Sequence, residues 1–192
     1  MKPGYLCPYC EASFEAHETL KAHVVARHGT EPLPRPQGLI NLTVNGGKYE
    51  FEVEPNVTLY TLIHDRMGLM GVKMFCDRGA CGSCTVILDG RPVLSCMTLA
   101  IECDGTSIET AEGIAAKGHP LIEAYVTHHA MQCGYCTPGF VVTAKALLDR
   151  NPDPTEEEIR EALSGNLCRC GTYPQHPLAV TEAARRLQGG SK

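Results

Sequence analysis

Four cysteines in the second half of the chain constrain its fold more than anything else in the sequence. They are Cys133 and Cys136 in Cys-Gly-Tyr-Cys, then Cys168 and Cys170 in Cys-Arg-Cys, with thirty-one residues between the two motifs. Neither pair completes a four-ligand metal site alone. The two can close around one centre only if the segment between them folds back on itself. That segment reads as helix, break, helix. Pro138 to Arg150 follows Cys136, with proline tolerated in the first helical turn, and Asn151-Pro152-Asp153-Pro154 interrupts it. Thr155 caps the next helix and Glu158 completes a capping box. Ile159, Ala162 and Leu163 supply its apolar stripe, and Gly165 ends it just before Cys168. A helix over 120–130 (Leu121, Ala124, Tyr125, His128 on one face) precedes the first pair, and one over 177–187 (Leu178, Val180, Ala183, Ala184, Leu187) follows the second. Four helices with the cysteine pairs at their junctions can superpose those junctions.

The chain carries 11 cysteines among 192 residues. Its net charge is −5, with 20% charged and 43% hydrophobic residues, which gives no global basic field to attract nucleic acid. No apolar run approaches the ~18 residues that span a bilayer. The N-terminus, Met1-Lys2-Pro3-Gly4-Tyr5-Leu6-Cys7, shows no apolar signal core and no twin arginine. The expected location is the cytoplasm, where disulfides are rare and dense cysteine at fixed spacings points to metal. The cysteines sort into Cys7 and Cys10; Cys76, Cys81, Cys84 and Cys96; Cys133, Cys136, Cys168 and Cys170; only Cys103 is left over.

The middle group has the Cys-x4-Cys-x2-Cys…Cys arrangement, a known spacing of plant-type [2Fe–2S] clusters. Three thiolates crowd into nine residues, so the backbone must wrap tightly. Gly79 and Gly82 permit the backbone angles this needs and leave N–H groups free to point at sulfur. No Cys-x-His pair occurs in the loop, against a Rieske site. A structural zinc held by the four thiolates is the bland alternative. Around the loop, period-two runs flank Asn45-Gly46-Gly47 (Ile40, Leu42, Val44, then Tyr49, Phe51, Val53) and Asp89-Gly90 (residues 85–88 and 92–94). They predict two hairpins. A short helix from Thr58 with Leu59, Leu62, Ile63 and Met67 and a further strand near Ile108 complete a small β-grasp domain. Residues 111–117, small and polar, read as a linker.

Residues 1–30 carry Cys7-x2-Cys10-x12-His23-x4-His28, the spacing of a tetrahedral zinc site with two thiolates and two imidazoles. Phe14 and Leu20 offer a core so small that zinc must supply most of the folding energy. This stretch resembles a two-cysteine, two-histidine zinc finger. Positions that would face bases are Ala16, Thr19 and Ala22, none able to make bidentate base contacts. Lys2, Lys21 and Arg27 are balanced by Glu11, Glu15 and Glu18. A lone neutral finger lacks the phosphate attraction that drives DNA binding, so a docking or stability module is expected. Pro32, Pro34 and Pro36 make residues 31–38 an extended spacer.

Taken alone, Cys133-Gly134-Tyr135-Cys136 could be a redox dithiol, but the preceding stretch is helical where that reading wants a strand, and Cys168 and Cys170 would stand idle. Zinc in the four-thiolate set stays open on ligand chemistry. Five stretches carry a resemblance to a known family. Gly71-Val72-Lys73, Cys81-Gly82-Ser83-Cys84-Thr85-Val86, Asp89-Gly90, residues 132–139 (Gln-Cys-Gly-Tyr-Cys-Thr-Pro-Gly) and Gly165-Asn166-Leu167-Cys168-Arg169-Cys170 resemble the small iron–sulfur subunit of the molybdenum hydroxylases, the xanthine oxidase and aldehyde oxidoreductase family. That resemblance covers residues 39 to about 185. Joined to the finger over 1–30 and the spacer over 31–38, it gives an α+β chain whose other parts are a plant-type ferredoxin-like β-grasp domain over 39–112 and a four-helix [2Fe–2S]-binding domain over 113–192. It implies two [2Fe–2S] clusters, a molybdopterin-binding large subunit with Gln132 and Cys133 near the pterin, and an FAD-binding medium subunit on the other side. The function implied is relay of single electrons between those partners, with the active site in a partner subunit. A redox-sensing adaptor using the finger to bind a partner is the alternative. Two features depart from the family: Gly171-Thr172-Tyr173-Pro174 stands where Thr-Gly-Tyr is commoner, and the finger is an addition. Cys103 reads as a small buried apolar side chain, and His128 and His129 as helix-surface residues.

Overall fold

Asn45 and Gly46 both take left-handed backbone (φ 51° and 87°), the two-residue turn whose twist matches flanking antiparallel strands. It joins β3 (Gly38–Val44) to β4 (Gly47–Val53) in full register, from Gly38 opposite Val53 to Val44 opposite Gly47. The same device at Asp89-Gly90 (φ 46° and 79°) joins β5 (Thr85–Leu88) to β6 (Arg91–Leu94). A short strand, β7 (Ser107–Glu109), lies between the hairpins, parallel to β3 and antiparallel to β5, giving the order β4-β3-β7-β5-β6. In β3 the alternation is visible in burial: Ile40, Leu42 and Val44 are buried and Leu39 and Asn41 exposed. The buried side packs on Leu59, Leu62 and Ile63 of the helical segment after Thr58, which completes the β-grasp core. That segment is not a plain α-helix. From Thr61 to Arg66 it widens, with Met67 N–H bonded to the Leu62 carbonyl five residues back.

The structure is a computed structural model that describes residues 5–7, 9–10, 12–29 and 38–189. The chain divides into two units, Met1–Pro36 and Gln37–Lys192. The proline spacer lies outside the described residues, except that Gly38, assigned to it from the sequence, already opens β3. The smaller unit is a hairpin of β1 (Tyr5–Leu6) and β2 (Ser13–Phe14) followed by α1 (His17–His28).

In the larger unit, residues 111–117 correct the sequence reading: they are no linker. Ala111–Ala116 forms a helix, α2. The Thr110 N–H is held by Asn45 Oδ1 at 2.9 Å and its hydroxyl by Glu112 at 2.6 Å, while Ile114 is fully buried. Small residues hid the helix because one isoleucine anchors it. Then come α3 (Pro120–Thr127), α4 (Thr137–Arg150), α5 (Glu156–Leu163) and α6 (Gln175–Gly189), the four helices expected. Phe140, Leu121, Tyr125, Ile159 and Val180 form their core, and Ile87 of β5 joins it. The sheet and the helices therefore share one packed boundary. Among the described residues no helix is long and apolar enough to cross a membrane.

Candidate iron–sulfur and metal centres

The loop before β5 holds Cys76, Cys81 and Cys84. Its path is set by Asp77, Gly79 and Gly82, all left-handed (φ 49°, 73° and 70°). The wrap aims the Ala80 N–H at Cys76 Sγ, 3.3 Å away, the kind of contact the glycines were expected to allow. Cys96 comes from a single turn, Ser95–Met97, and is pinned opposite Cys84: the Ser95 hydroxyl donates to the Cys84 carbonyl at 2.7 Å. The sulfurs fall into pairs. Cys76 interacts with Cys81, and Cys84 with Cys96. Two pairs of thiolates suit a dinuclear cluster, in which each iron takes two protein sulfurs.

The second set sits at helix ends. Cys136 is the residue before α4 and Cys133 lies three residues earlier, with Gly134 left-handed between them (φ 82°). Cys168 and Cys170 lie on the loop from α5 to α6, followed by left-handed Gly171 (φ 82°). Cys136 interacts with both Cys168 and Cys133, so the fold brings the Cys-x-x-Cys and Cys-x-Cys motifs together. Cys133 and Cys170 are exposed, as is Gln132.

The sulfurs present are free thiols and stand in for thiolate ligands. Burial pushes the Cys84 thiol up to about 11 and the Cys136 thiol up to about 12. Burial acts the same way on Cys76, but N–H groups of Arg78 and Ala80 outweigh it and bring that thiol down to about 7. Cys168 also reaches about 7: burial opposes, and the Thr172 hydroxyl and N–H overcome it. Cys84 and Cys136, held protonated by burial, would each release a proton on taking up metal.

The two cysteine loops touch directly. Leu167 N–H donates to the Cys81 carbonyl at 2.9 Å. Buried Asn166 donates through Nδ2 to the Gly82 carbonyl at 3.0 Å. Around them Phe75 (72% exposed), Tyr135 (42%) and Leu167 (50%) form an apolar rim. With Ser83, Cys133, Cys136 and Arg169 they line a cleft of about 340 Å³. The Tyr135 hydroxyl donates to the Met74 carbonyl across the two loops.

In the smaller unit Cys7, Cys10, His23 and His28 each offer a ligand atom within 4.8 Å of the others. Cys10 Sγ lies 3.3 Å from His23 Nε2, and His28 Nε2 is buried without a hydrogen-bond partner. Phe14 packs on His23 and Tyr9 stacks on His28, ring centroids 4.7 and 4.8 Å apart.

Sequence reasoning gave no role to Asn166, Thr172, Tyr173 or His176. Thr172 Oγ1 lies 3.1 Å from Cys168 Sγ, and the Tyr173 hydroxyl accepts from Cys168 N–H at 2.7 Å. The altered turn at 171–174 was the visible signal, but which atoms it aims at sulfur is a tertiary fact. Cys103 is where the sequence put it, fully buried in the β-grasp core.

Two family patterns match the chain: a 2Fe-2S iron-sulfur cluster binding domain over residues 42–115 and a [2Fe-2S] binding domain over residues 110–181. The nicotinate dehydrogenase small FeS subunit of Eubacterium barkeri is 50% identical over 149 residues, which is 77% of this chain and 95% of that protein. A chain of quinoline 2-oxidoreductase from Pseudomonas putida 86 superposes with a TM-score of 0.71 at 44% identity, over 78% of this chain and 97% of that one. Aldehyde oxidoreductase from Desulfovibrio desulfuricans ATCC 27774 superposes with a TM-score of 0.76 at 42% identity, over 79% of this chain and 17% of the longer one. Paired thiolates on a β-grasp loop, a second thiolate set between helices, and a small FeS subunit alike over 95% of its length together place the chain in the small iron–sulfur subunits of the molybdenum hydroxylase family.

Proposed function

We propose that this chain relays single electrons between a molybdopterin-binding subunit and an FAD-binding subunit of a cytoplasmic oxidoreductase complex. In this reading Cys76, Cys81, Cys84 and Cys96 hold one [2Fe–2S] cluster, and Cys133, Cys136, Cys168 and Cys170 hold the other. When bound, each cluster supplies a one-electron couple. The chain's own contribution is position. The observation that carries the reading is the Leu167 N–H bond to the Cys81 carbonyl. It joins a ligand residue of the first set to the residue just before a ligand of the second. Asn166 fastens the same two loops one residue away through a buried hydrogen bond, so two hydrogen bonds hold their spacing.

The apolar rim of Phe75, Tyr135 and Leu167 beside Cys133 supports a partner surface at the second cluster. Gln132, exposed on that side, is assigned to the pterin contact. In the smaller unit, Cys7, Cys10, His23 and His28 are assigned to zinc, which the convergent donor set and the orphaned His28 nitrogen support. The working division gives each module one centre: finger 1–30, spacer 31–38, β-grasp domain 39–112, helical domain 113–192. Iron and sulfide analysis with EPR of the reduced protein tests the reading. Two distinct [2Fe–2S] signals are expected, with zinc that is lost in Cys7→Ser. A single iron–sulfur signal, or zinc in the Cys133 set, would overturn the two-cluster assignment.

A further inference from the structure

His176 is a buried histidine with no place in the relay just described. It lies in the first turns of α6, 1% exposed, with its ring stacked on Phe140 of α4 (centroids 3.9 Å apart, planes 11° from parallel). Tyr125 of α3 closes another side, its centroid 5.5 Å away. The ring cannot turn without disturbing that packing. Its Nε2 lies 3.2 Å from Thr172 Oγ1, and the same Oγ1 lies 3.1 Å from Cys168 Sγ. Three groups from one loop and one helix thus form a line that ends on a cluster sulfur.

A threonine hydroxyl has one proton, so the direction of the line must be decided. Thr172 either donates to sulfur and accepts from His176, or donates to His176 and leaves the sulfur without its hydroxyl donor. Two arguments favour donation to sulfur. A metal-bound thiolate is the more negative acceptor, and hydrogen bonds to charged groups are the stronger ones. His176 Nδ1 is buried with no partner. If Nε2 carries the proton, that orphan is a bare lone pair; in the other tautomer it is an unpaired N–H, the rarer and more costly arrangement. Burial pushes His176 down to about 4, so the ring is neutral at ordinary pH and has a single proton, which these two arguments place on Nε2.

We propose that Thr172 and His176 form a fixed hydrogen-bond relay in which His176 orients the Thr172 hydroxyl onto the Cys168 sulfur and so raises the reduction potential of the cluster in the helical domain. Hydrogen bonds to ligand sulfur favour the reduced, more negative form. His176 is a positioning residue, since it acts through Thr172. The turn order Gly171-Thr172 makes the device possible: the glycine takes the left-handed conformation and the next residue brings a hydroxyl to the sulfur. The inference rests on the two-cluster reading and deepens it by assigning one cluster a local means of setting its potential.

The test is an EPR-monitored redox titration of the full chain with its clusters, together with deuterium ENDOR after exchange into heavy water. In Thr172→Val one of the two potentials moves to a more negative value and the other stays. An exchangeable deuteron coupling on the shifted signal disappears. Thr172→Ser, which keeps the hydroxyl, restores both. His176→Leu shifts the same potential in the same direction, and His176→Gln, which can still donate, shifts it less. Two intact signals with unchanged potentials and couplings in Thr172→Val overturn the relay while leaving the two-cluster reading in place. Only one signal in the unaltered protein sinks the two-cluster reading instead.

Discussion

Gly139 sits in the first turn of α4, where helix propensity alone would favour alanine by about 1 kcal/mol. Its surroundings decide otherwise. A Cβ there would lie 2.5 Å from the Gly82 carbonyl and 3.2 Å from Ser83 Cα, and backbone atoms cannot swing aside as a side chain can. Gly139→Ala is therefore expected to destabilise the protein by roughly 1–3 kcal/mol, the usual range for overpacking. The backbone it displaces links Cys81 to Cys84, so the loss in a denaturant titration should come with altered EPR of one cluster. A mutant as stable as the parent, with unchanged spectra, would mean the loops are looser than the structure has them. The cysteines proposed as ligands could be picked out from spacing because a tight metal loop tolerates few alternatives. Gly139, Asn166 and His176 were not, because each acts on a residue tens of positions away in the chain, or through packing that no local pattern records.

At the scale of elements, α5 shows how local chemistry starts a helix. Its capping box was readable as Thr155-x-x-Glu158, and the structure has both halves: the Thr155 hydroxyl accepts from Glu158 N–H at 3.3 Å, and the Glu158 carboxylate accepts from Thr155 N–H at 2.7 Å. Thr155→Ala should cost about 1 kcal/mol in a urea titration. Cluster spectra should be unchanged, since the cap is at the opposite end of the helix from Cys168. Spectral change with no loss of stability would contradict that separation. The hairpins were equally legible, because Asn45-Gly46 and Asp89-Gly90 carry the left-handed turn in their own sequence. The helix at Ala111–Ala116 was not. Its stability comes from Ile114 in the core and from Asn45, 65 residues upstream of Thr110, so its local composition resembles a linker. The widened turn at Thr61–Arg66 was hidden for the same reason: apolar spacing there suits an α-helix.

For the larger unit as a whole, one ion cluster ties sheet to helices. Glu109 of β7 receives Lys117 at 2.6 Å and Lys145 of α4 at 2.9 Å, and Lys145 also meets Asp149 at 2.6 Å. Burial would push the Glu109 carboxyl up, but the two lysines outweigh it and hold it below the usual carboxylate value of 4.5. A depressed carboxylate contributes stability above its unfolded pKa and loses it as pH falls through the lower folded value. The stability difference between the parent and Glu109→Gln should thus be full at neutral pH and narrow as pH drops below about 4.5. A difference that is flat across that range would remove the ion cluster from the account. The sequence by itself determined which residues could bind metal, the hairpin turns, the four helices and the family, because these are set by ligand spacing, turn chemistry and short-range periodicity. Only the tertiary structure decided that Cys136 meets Cys168, that the Leu167 N–H joins the two cysteine loops, and that Phe140 of α4 stacks on the buried His176 ring. Those contacts arise where separate elements pack together, and their cause is the shape of the shared core, which no local stretch of the chain contains.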